Sequence, residues 1–201
     1  KIEIMRKLAY LFLPALLIAC GEAEETSEEI QEEVVETVEE EVEEKNERKS
    51  PRTTLEVESN GVSLKMVYGS PRVKDRKIWG NLVPFGKVWR AGADETTAIT
   101  FDQDVLVNGN EVNAGTYAFF IIPNENEDWE VILNEEWSKE LHDVWGAYNY
   151  KHDKDVLRFK VSPSDNIDVV ENLTYQFENG EMTFEWENKR FTFTVAPAQA
   201  V

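Results

Sequence analysis

The stretch from Arg72 to Arg90 combines cationic and aromatic side chains in a way that could bind an anion. Six of its residues are basic and one is acidic, although the formal net charge of the whole chain is −19. Arg and Lys pair with carboxylate or phosphate groups, and Arg also stacks on aromatic rings. Because Trp79, Phe85 and Trp89 lie among the bases, we predict a ligand-binding loop with an aromatic floor and cationic edges.

Acidic and aromatic residues further along the chain extend this predicted site. An aromatic cluster spans Trp145 to Tyr150, and it either lines a sugar-binding cleft or fills the core of the domain. The predicted ligand-binding residues are Arg72, Lys74, Arg76, Trp79, Trp89, Arg90, Asp94, Glu95, Thr97, Trp145 and Tyr148. The alternative for the basic stretch is an irregular structural loop with buried tryptophans, since prolines and glycines shape it in either case.

The sequence shows no pattern that is typical of catalysis or of cofactor binding. It has no G-x-S-x-G nucleophile motif and no glycine-rich phosphate loop. Nothing places two carboxylates at the separation that glycoside hydrolysis needs. We therefore predict a non-catalytic domain without a cofactor, and an envelope hydrolase is the weaker alternative.

Two histidine–aspartate pairs, His142-Asp143 and His152-Asp153, raise the question of a metal site. Neutral imidazole nitrogens and carboxylate oxygens are ligands of zinc. The spacing between the two pairs matches no compact zinc motif. We therefore predict solvated loop residues here and no metal site.

The elements that must position the candidate residues are predicted to be β-strands. Apolar residues alternate with polar ones from Val62 to Tyr68, and similar alternation recurs over 129–133 and 157–161. Asn108-Gly109 is a strong signal for a two-residue hairpin. The run from Thr116 to Pro123 is rich in aromatic and β-branched residues, as expected of a strand that is buried on both faces.

Three further strands are predicted near the end of the sequence. Alternation over 173–177, 182–186 and 191–195 is interrupted by turn signals at Asn179-Gly180 and Asn188-Lys189. These segments form a meander. Strands at this spacing predict an all-β fold, either an antiparallel β-sandwich or a jelly-roll-like barrel.

Residues 1–20 resemble the signal peptide of a bacterial lipoprotein. Arg6 and Lys7 precede an apolar run from Leu8 to Leu17, which is shorter than the roughly 20 residues of a membrane-spanning helix. The run ends in Leu17-Ile18-Ala19-Cys20, which resembles a lipobox. The resemblance implies cleavage before Cys20, lipidation of its sulfur and anchoring in a membrane.

An acidic linker is predicted to join this signal to the β domain. The segment from Glu22 to Lys49 has no aromatic residue, glycine or proline, and apolar residues recur every four positions from Ile30 to Val42. This pattern fits a solvated, partly helical spacer and also a coiled-coil helix. We therefore predict a signal peptide over 1–19, a lipid-anchored linker over 20–50 and a β domain over 51–201.

A longer pattern in the β domain resembles a known family. It reads Leu82-Val83-Pro84-Phe85-Gly86-Lys87-Val88-Trp89-Arg90-Ala91-Gly92-Ala93, and Ala114-Gly115-Thr116-Tyr117 and Trp145-Gly146-Ala147-Tyr148 follow it. With these motifs the chain resembles the bacterial family called "domain of unknown function 2911". Asp75 and Asp94 depart from the family pattern and add negative charge. The resemblance implies an exported protein of a Gram-negative bacterium, and it implies no activity.

The net charge and the predicted export signal limit the possible partners of the protein. A net charge of −19 argues against nucleic-acid binding, because phosphates would be repelled. We expect a lipoprotein of the cell envelope, anchored in the outer membrane, that binds a glycan, an anionic polymer or a peptide. The alternative is a structural or assembly lipoprotein that binds another envelope protein.

Overall fold

A computed structural model describes residues 48–198 of the protein. The strands are β1 (Arg52–Ser59), β2 (Val62–Gly69), β3 (Ala98–Phe101), β4 (Val105–Val107), β5 (Asn110–Val112), β6 (Gly115–Ile122), β7 (Trp129–Asn134), β8 (Asp155–Val161), β9 (Ser164–Glu178) and β10 (Glu181–Pro197). A four-residue helix, α1 (Lys139–His142), and a 3₁₀ turn (His152–Lys154) lie between β7 and β8. The predicted signal peptide, the lipidation of Cys20 and most of the acidic linker fall outside the described residues.

The strands of this range form two antiparallel sheets. The first sheet has the order β1-β2-β3-β6-β7-β8, and the second has the order β5-β4-β10-β9. Between residues 48 and 198, neither sheet closes on itself. The predicted all-β fold is thus confirmed, and it takes the sandwich-like form rather than the barrel.

Three Asn-Gly dipeptides make the tight turns of the fold. Asn60-Gly61 joins β1 to β2, Asn108-Gly109 joins β4 to β5, and Asn179-Gly180 joins β9 to β10. Their φ angles lie between 47° and 80°, in the left-handed region that a type I′ turn requires and that Asn and Gly adopt most easily. The turns predicted at the second and third of these dipeptides are confirmed.

Strand β10 folds back on itself. The ring centroids of Phe184 and Phe191 are 4.8 Å apart, and the backbone N–H of Val195 donates to the carbonyl of Gly180 at 2.8 Å. A straight strand would separate these pairs by tens of ångströms, at about 3.3 Å per residue. The chain therefore reverses near Glu187, whose φ is 54°. This reversal confirms the last turn of the predicted meander.

The space between the two sheets is filled mainly by large aromatic side chains. Trp129 of β7 and Trp186 of β10 meet Trp79 and Trp89, which lie on the long loop between β2 and β3. The ring centroids of Trp79 and Trp129 are 4.6 Å apart, and Trp89 stacks on Trp186 at 5.7 Å. Rings of this size dominate the energy of a core. They therefore hold the long loop against the sandwich at two points.

A smaller apolar cluster lies on the outer face of the six-stranded sheet. Phe120 of β6 and Ile132 of β7 point to this face and are covered by the β7–β8 segment, which comprises residues 135–154. Trp137 and Val144 of this segment pack on them. Strand β6 is therefore buried on both faces, as its composition predicted.

Candidate functional site

An open groove lies on the outer face of the six-stranded sheet. Its volume is about 500 Å³, which is in the range of small-molecule sites. Two rows of side chains across the sheet form its floor: Lys65, Thr100 and Thr116 in one row, and Val67 and Ala98 in the next. The hydroxyls of Thr100 and Thr116 are hydrogen-bonded at 2.9 Å. The floor thus offers a cation, hydroxyl groups and an apolar patch.

The β7–β8 segment forms one wall of this groove. The residues of the segment that line it are Trp137, Ser138, Lys139, Glu140, Val144 and Trp145. Trp145 is 42% exposed, and the Nζ atom of Lys139 lies 5.4 Å from the centre of its ring. This distance is typical of a cation–π contact. The wall therefore presents an accessible indole ring with an ammonium group beside it.

Hydrogen bonds at α1 fix the shape of this wall. Ser138 caps the helix, because its Oγ atom accepts a bond from the backbone N–H of Leu141 at 3.0 Å. The backbone N–H groups of Trp137 and Ser138 donate to Nδ1 of His142 at 3.1 and 3.3 Å. Nδ1 acts as the acceptor of both bonds, so His142 supports the fold of the wall.

A partly buried polar network anchors the base of the same segment. Asp155 accepts bonds from the Tyr150 hydroxyl at 2.7 Å, the Asn134 amide at 2.8 Å and the Arg158 guanidinium at 2.6 Å. Arg158 also donates to Glu130 at 2.6 Å. Burial and the bond to Asp155 raise the pKa of Tyr150 to about 12. Near neutral pH this phenol is consequently protonated and remains a donor to Asp155.

Glu95 and Arg52 contribute a second wall of the groove. The Glu95 carboxylate accepts a bond from Arg48 at 2.5 Å and lies 3.5 Å from Arg52. Burial acts to raise the pKa of Glu95, but hydrogen bonds from its own backbone N–H and from Arg48, together with the charge of Arg52, outweigh burial and lower this pKa. Glu95 is therefore ionised, and two guanidinium groups balance its charge.

Two of the sequence motifs meet beside the groove. The Thr96 hydroxyl donates to the carbonyl of Gly146 at 3.0 Å. A Cβ atom at Gly146 would come within 2.9 Å of Arg90 Cδ and 3.1 Å of the Asp94 carbonyl oxygen, and the φ of Gly146 is +61°. Only glycine fits this position without strain. The structure thus packs Arg90 and the backbone of Asp94 against Gly146, the residue that follows Trp145.

Trp79, Trp89 and Thr97 lie in the interior. Their exposed fractions are 7%, 9% and 0%, and the indole N–H of Trp89 donates to the Gly92 carbonyl at 3.2 Å. The aromatic floor is therefore not where the sequence pattern suggested. The loop turns these two rings inward against the core, where they present no face to a surface ligand.

Arg72, Lys74 and Arg76 are exposed but attach to a different part of the fold. The backbone of Arg72 forms an isolated antiparallel β-bridge with Asn172 of β9. The Nε atom of its side chain is 3.6 Å from the Glu171 carboxylate. The backbone N–H of Lys74 donates to the same carboxylate, and Arg76 donates to backbone carbonyls of its own loop. The structure does not bring these three bases into the groove.

Tyr148 stands beside the groove without lining it. Its side chain is 74% exposed, and its backbone N–H donates to the Trp145 carbonyl at 2.9 Å. Of the predicted set, Glu95 and Trp145 line the groove, whereas Arg90, Asp94 and Tyr148 lie next to them.

Several lining residues were not predicted from the sequence. They are Arg52, Lys65, Trp137 and Lys139, among others. The alternation of β2 places Lys65 on the outward face, so this residue could have been found. Trp137 and Lys139 lie in or beside a helix of one turn, where no periodicity marks the exposed side.

Residues 48–198 were also compared with the requirements of a metal site and of a membrane-spanning helix. Among residues 48–198, no group of three or more His, Cys, Asp or Glu side chains is placed to hold a metal ion. Across the part of the chain that the structure describes, no helix is both long and apolar enough to cross a bilayer.

The fold and the groove define an all-β, sandwich-like domain with an open, partly apolar site on its outer face. Residues 50–195 match the family described as "Protein of unknown function (DUF2911)". The chain belongs to this family, as its motifs predicted. No curated protein and no solved structure matches the chain.

Proposed function

We propose that this protein is a membrane-anchored lipoprotein of the cell envelope whose β domain is a non-catalytic binding module. Its ligand is a glycan, an anionic polymer or a peptide that lies in the groove. The observation that carries the proposal is the groove itself, which combines an accessible indole, two lysines and a row of hydroxyls on a rigid sheet. Because the sheet is rigid, it holds these side chains in position before the ligand binds.

The anchor rests on the lipobox-like sequence that ends at Cys20. Lipidation would anchor the domain in a membrane, for which we propose the outer membrane, with the acidic linker as a spacer. Mass spectrometry of the protein from the membrane fraction is the test. A diacylglyceryl group on Cys20 supports the anchor, and an unmodified thiol in the mature protein overturns it.

The hydrolase alternative has weaker support. Glu95 and Glu140 are the two carboxylates that line the groove, and a glycosidase needs a general acid with a raised pKa. The pKa of Glu95 is instead lowered by hydrogen bonds and by two guanidinium groups, which outweigh its burial. Glu95 is therefore suited to structure and recognition rather than to proton donation.

A thermal-shift screen of the full chain tests the binding module. The panel contains envelope glycans, anionic polymers and peptides, and a ligand at 100 times its Kd stabilises the folded state by about 2.7 kcal/mol. A shift that Trp145→Ala reduces and Tyr148→Ala retains would place the ligand in the groove, because Tyr148 is exposed but does not line it.

An assembly lipoprotein that binds another envelope protein is the second candidate. The observation in its favour is the exposure of Ile167 and Val169 on β9, where the pairing with β10 shifts register. Crosslinking in intact cells from a photoreactive residue at position 167 tests it. A specific protein adduct, together with no shift in the ligand screen, would replace the binding-module proposal.

A further inference from the structure

We propose that the ligand of the groove is an acidic saccharide, a chain of sugar residues that carry carboxylate groups. This inference rests on the proposed function, which makes the groove a binding site, and adds the chemical class of the ligand. Trp145 packs against a sugar ring, and Lys139 and Lys65 pair with carboxylates.

The charge of the groove differs in sign from the charge of the chain. The chain has a formal net charge of −19, whereas the groove is lined by three cations, Arg52, Lys65 and Lys139, and two acids, Glu95 and Glu140. Next to the lining residues, Arg48 pairs with Glu95 and Glu56 pairs with Lys65, so these two neighbours do not change the balance. Cations therefore outnumber acids in the groove although acids outnumber bases in the chain, which favours an acidic ligand here over the rest of the surface.

Lys139 is the cation best placed to meet a carboxylate. It forms no ion pair with any residue between 48 and 198, and its ammonium group lies over the Trp145 ring. Lys65 is held only by an exposed contact of 3.6 Å with Glu56, which contributes little in water. Both ammonium groups can therefore turn to a ligand, whereas Arg52 is already engaged by Glu95.

The aromatic wall and the floor fit a sugar ring. One side of a pyranose ring presents C–H groups that pack against a flat apolar surface, while its hydroxyls need polar partners. Trp145 supplies an exposed indole, and Ser138, Thr100 and Thr116 supply hydroxyls in the same groove. Apolar and polar contacts therefore face one cavity, as a saccharide requires.

The position of the groove on the sheet argues against a peptide. One recurring way to bind an extended peptide is to add it as a strand to an open sheet edge, where backbone groups are unpaired. The floor strands β2, β3 and β6 are interior strands, and each pairs with a neighbour on both sides. The groove offers a sheet face, so side chains rather than the backbone must recognise the ligand.

Isothermal titration of the full chain tests this inference. The acidic probes are tetrasaccharides of galacturonate, of mannuronate and of hyaluronan, and the neutral probes are maltotetraose and cellotetraose. We expect an acidic probe to bind about tenfold or more tightly than the neutral probes, with an affinity that falls as salt is added. Trp145→Ala should raise the Kd about tenfold, and Lys139→Gln several-fold.

Matched variants separate the groove from general charge effects. Lys87→Gln removes an exposed base that does not line the groove, so its Kd should equal that of the parent. Trp145→Phe keeps an aromatic ring and should retain most of the affinity. A loss of affinity in Trp145→Ala alone would then reflect the missing ring rather than misfolding. Because Trp145 is the most exposed indole, a bound saccharide should also reduce acrylamide quenching of its fluorescence.

The outcomes distinguish the two proposals. Equal binding of acidic and neutral probes, or an unchanged Kd in Lys139→Gln, overturns the acidic class and leaves the binding module standing. Binding of peptides alone in the thermal screen has the same consequence. If the folded chain binds no saccharide, polymer or peptide at all, the binding module itself fails.

Discussion

The two faces of the six-stranded sheet differ in what covers them. The inner face packs on the second sheet, where Trp129 and Trp186 are fully buried. The outer face is covered by the β7–β8 segment over β6 and β7, and it is open over β2 and β3, where the groove lies. One sheet therefore serves as a core on one side and as a candidate site on the other.

The outward side chains explain where the cover stops. Strand β6 presents Ala118 and Phe120, which have no exposed surface, so this part of the face must be covered to keep apolar area from water. Strand β2 presents Lys65 and Val67, a mixed row that can remain in contact with water. The change in outward composition from β2 to β6, with β3 between them, thus sets the boundary of the groove.

The largest expected effect is in the inner core. Trp186→Ala removes a buried ring that stacks on Trp89, and it should lower the free energy of unfolding by about 3–5 kcal/mol. Urea unfolding followed by circular dichroism measures this loss. Tyr148→Ala, on the outer surface, should change stability by less than about 0.5 kcal/mol. Equal losses in the two variants would break the distinction between the faces.

The next largest effect should fall on the cover of the outer face. Asp155→Ala removes the acceptor of Tyr150, Asn134 and Arg158, and donors left unsatisfied cost about 1–3 kcal/mol. Hydrogen exchange should become faster in residues 135–154 and stay unchanged in β10. A uniform increase through both sheets would show that the cover and the core unfold together.

A smaller effect is expected where the two motifs meet. Gly146→Ala should cost about 1–2 kcal/mol, because alanine is strained at positive φ and its Cβ would crowd Arg90. Gly109→Ala is the matched control, since Gly109 has a φ of +80° and open space around it. Thermal unfolding of both variants measures their losses of stability, and the difference between them is the cost of crowding Arg90. Equal losses would show that this crowding costs nothing.

The smallest effect concerns the charge of Glu95. Its pKa is lower in the folded protein than the ordinary 4.5, so the stability that the carboxylate contributes is complete above that value and is lost as the pH falls through the lowered pKa. The parent should therefore exceed Glu95→Gln in stability by less than about 1 kcal/mol near neutral pH. This difference should vanish in acid, and a difference that grows in acid would contradict the assignment.

The strands could be predicted from the sequence, but most of the groove could not. Alternation with a period of two fixes which residues of a strand point inward, so Val62 to Tyr68 and the Asn-Gly turns were predictable. Trp79 and Trp89 lie in an irregular loop, where the side that a ring faces depends on distant strands. The groove depends on the β7–β8 segment folding onto a sheet, and no local pattern encodes that contact.

The pairing of β4 has a consequence for how the protein folds. Val107 of β4 pairs with Val195 of β10, and every strand from β5 to β9 lies between them in the chain. Contacts between such distant segments slow folding, to milliseconds or seconds in sheet proteins of this kind. Until β10 arrives, the β4–β5 hairpin keeps an unpaired edge and uncovered valines. The time that β10 takes to pair with β4 therefore determines how long this edge is open to pairing with the wrong strand.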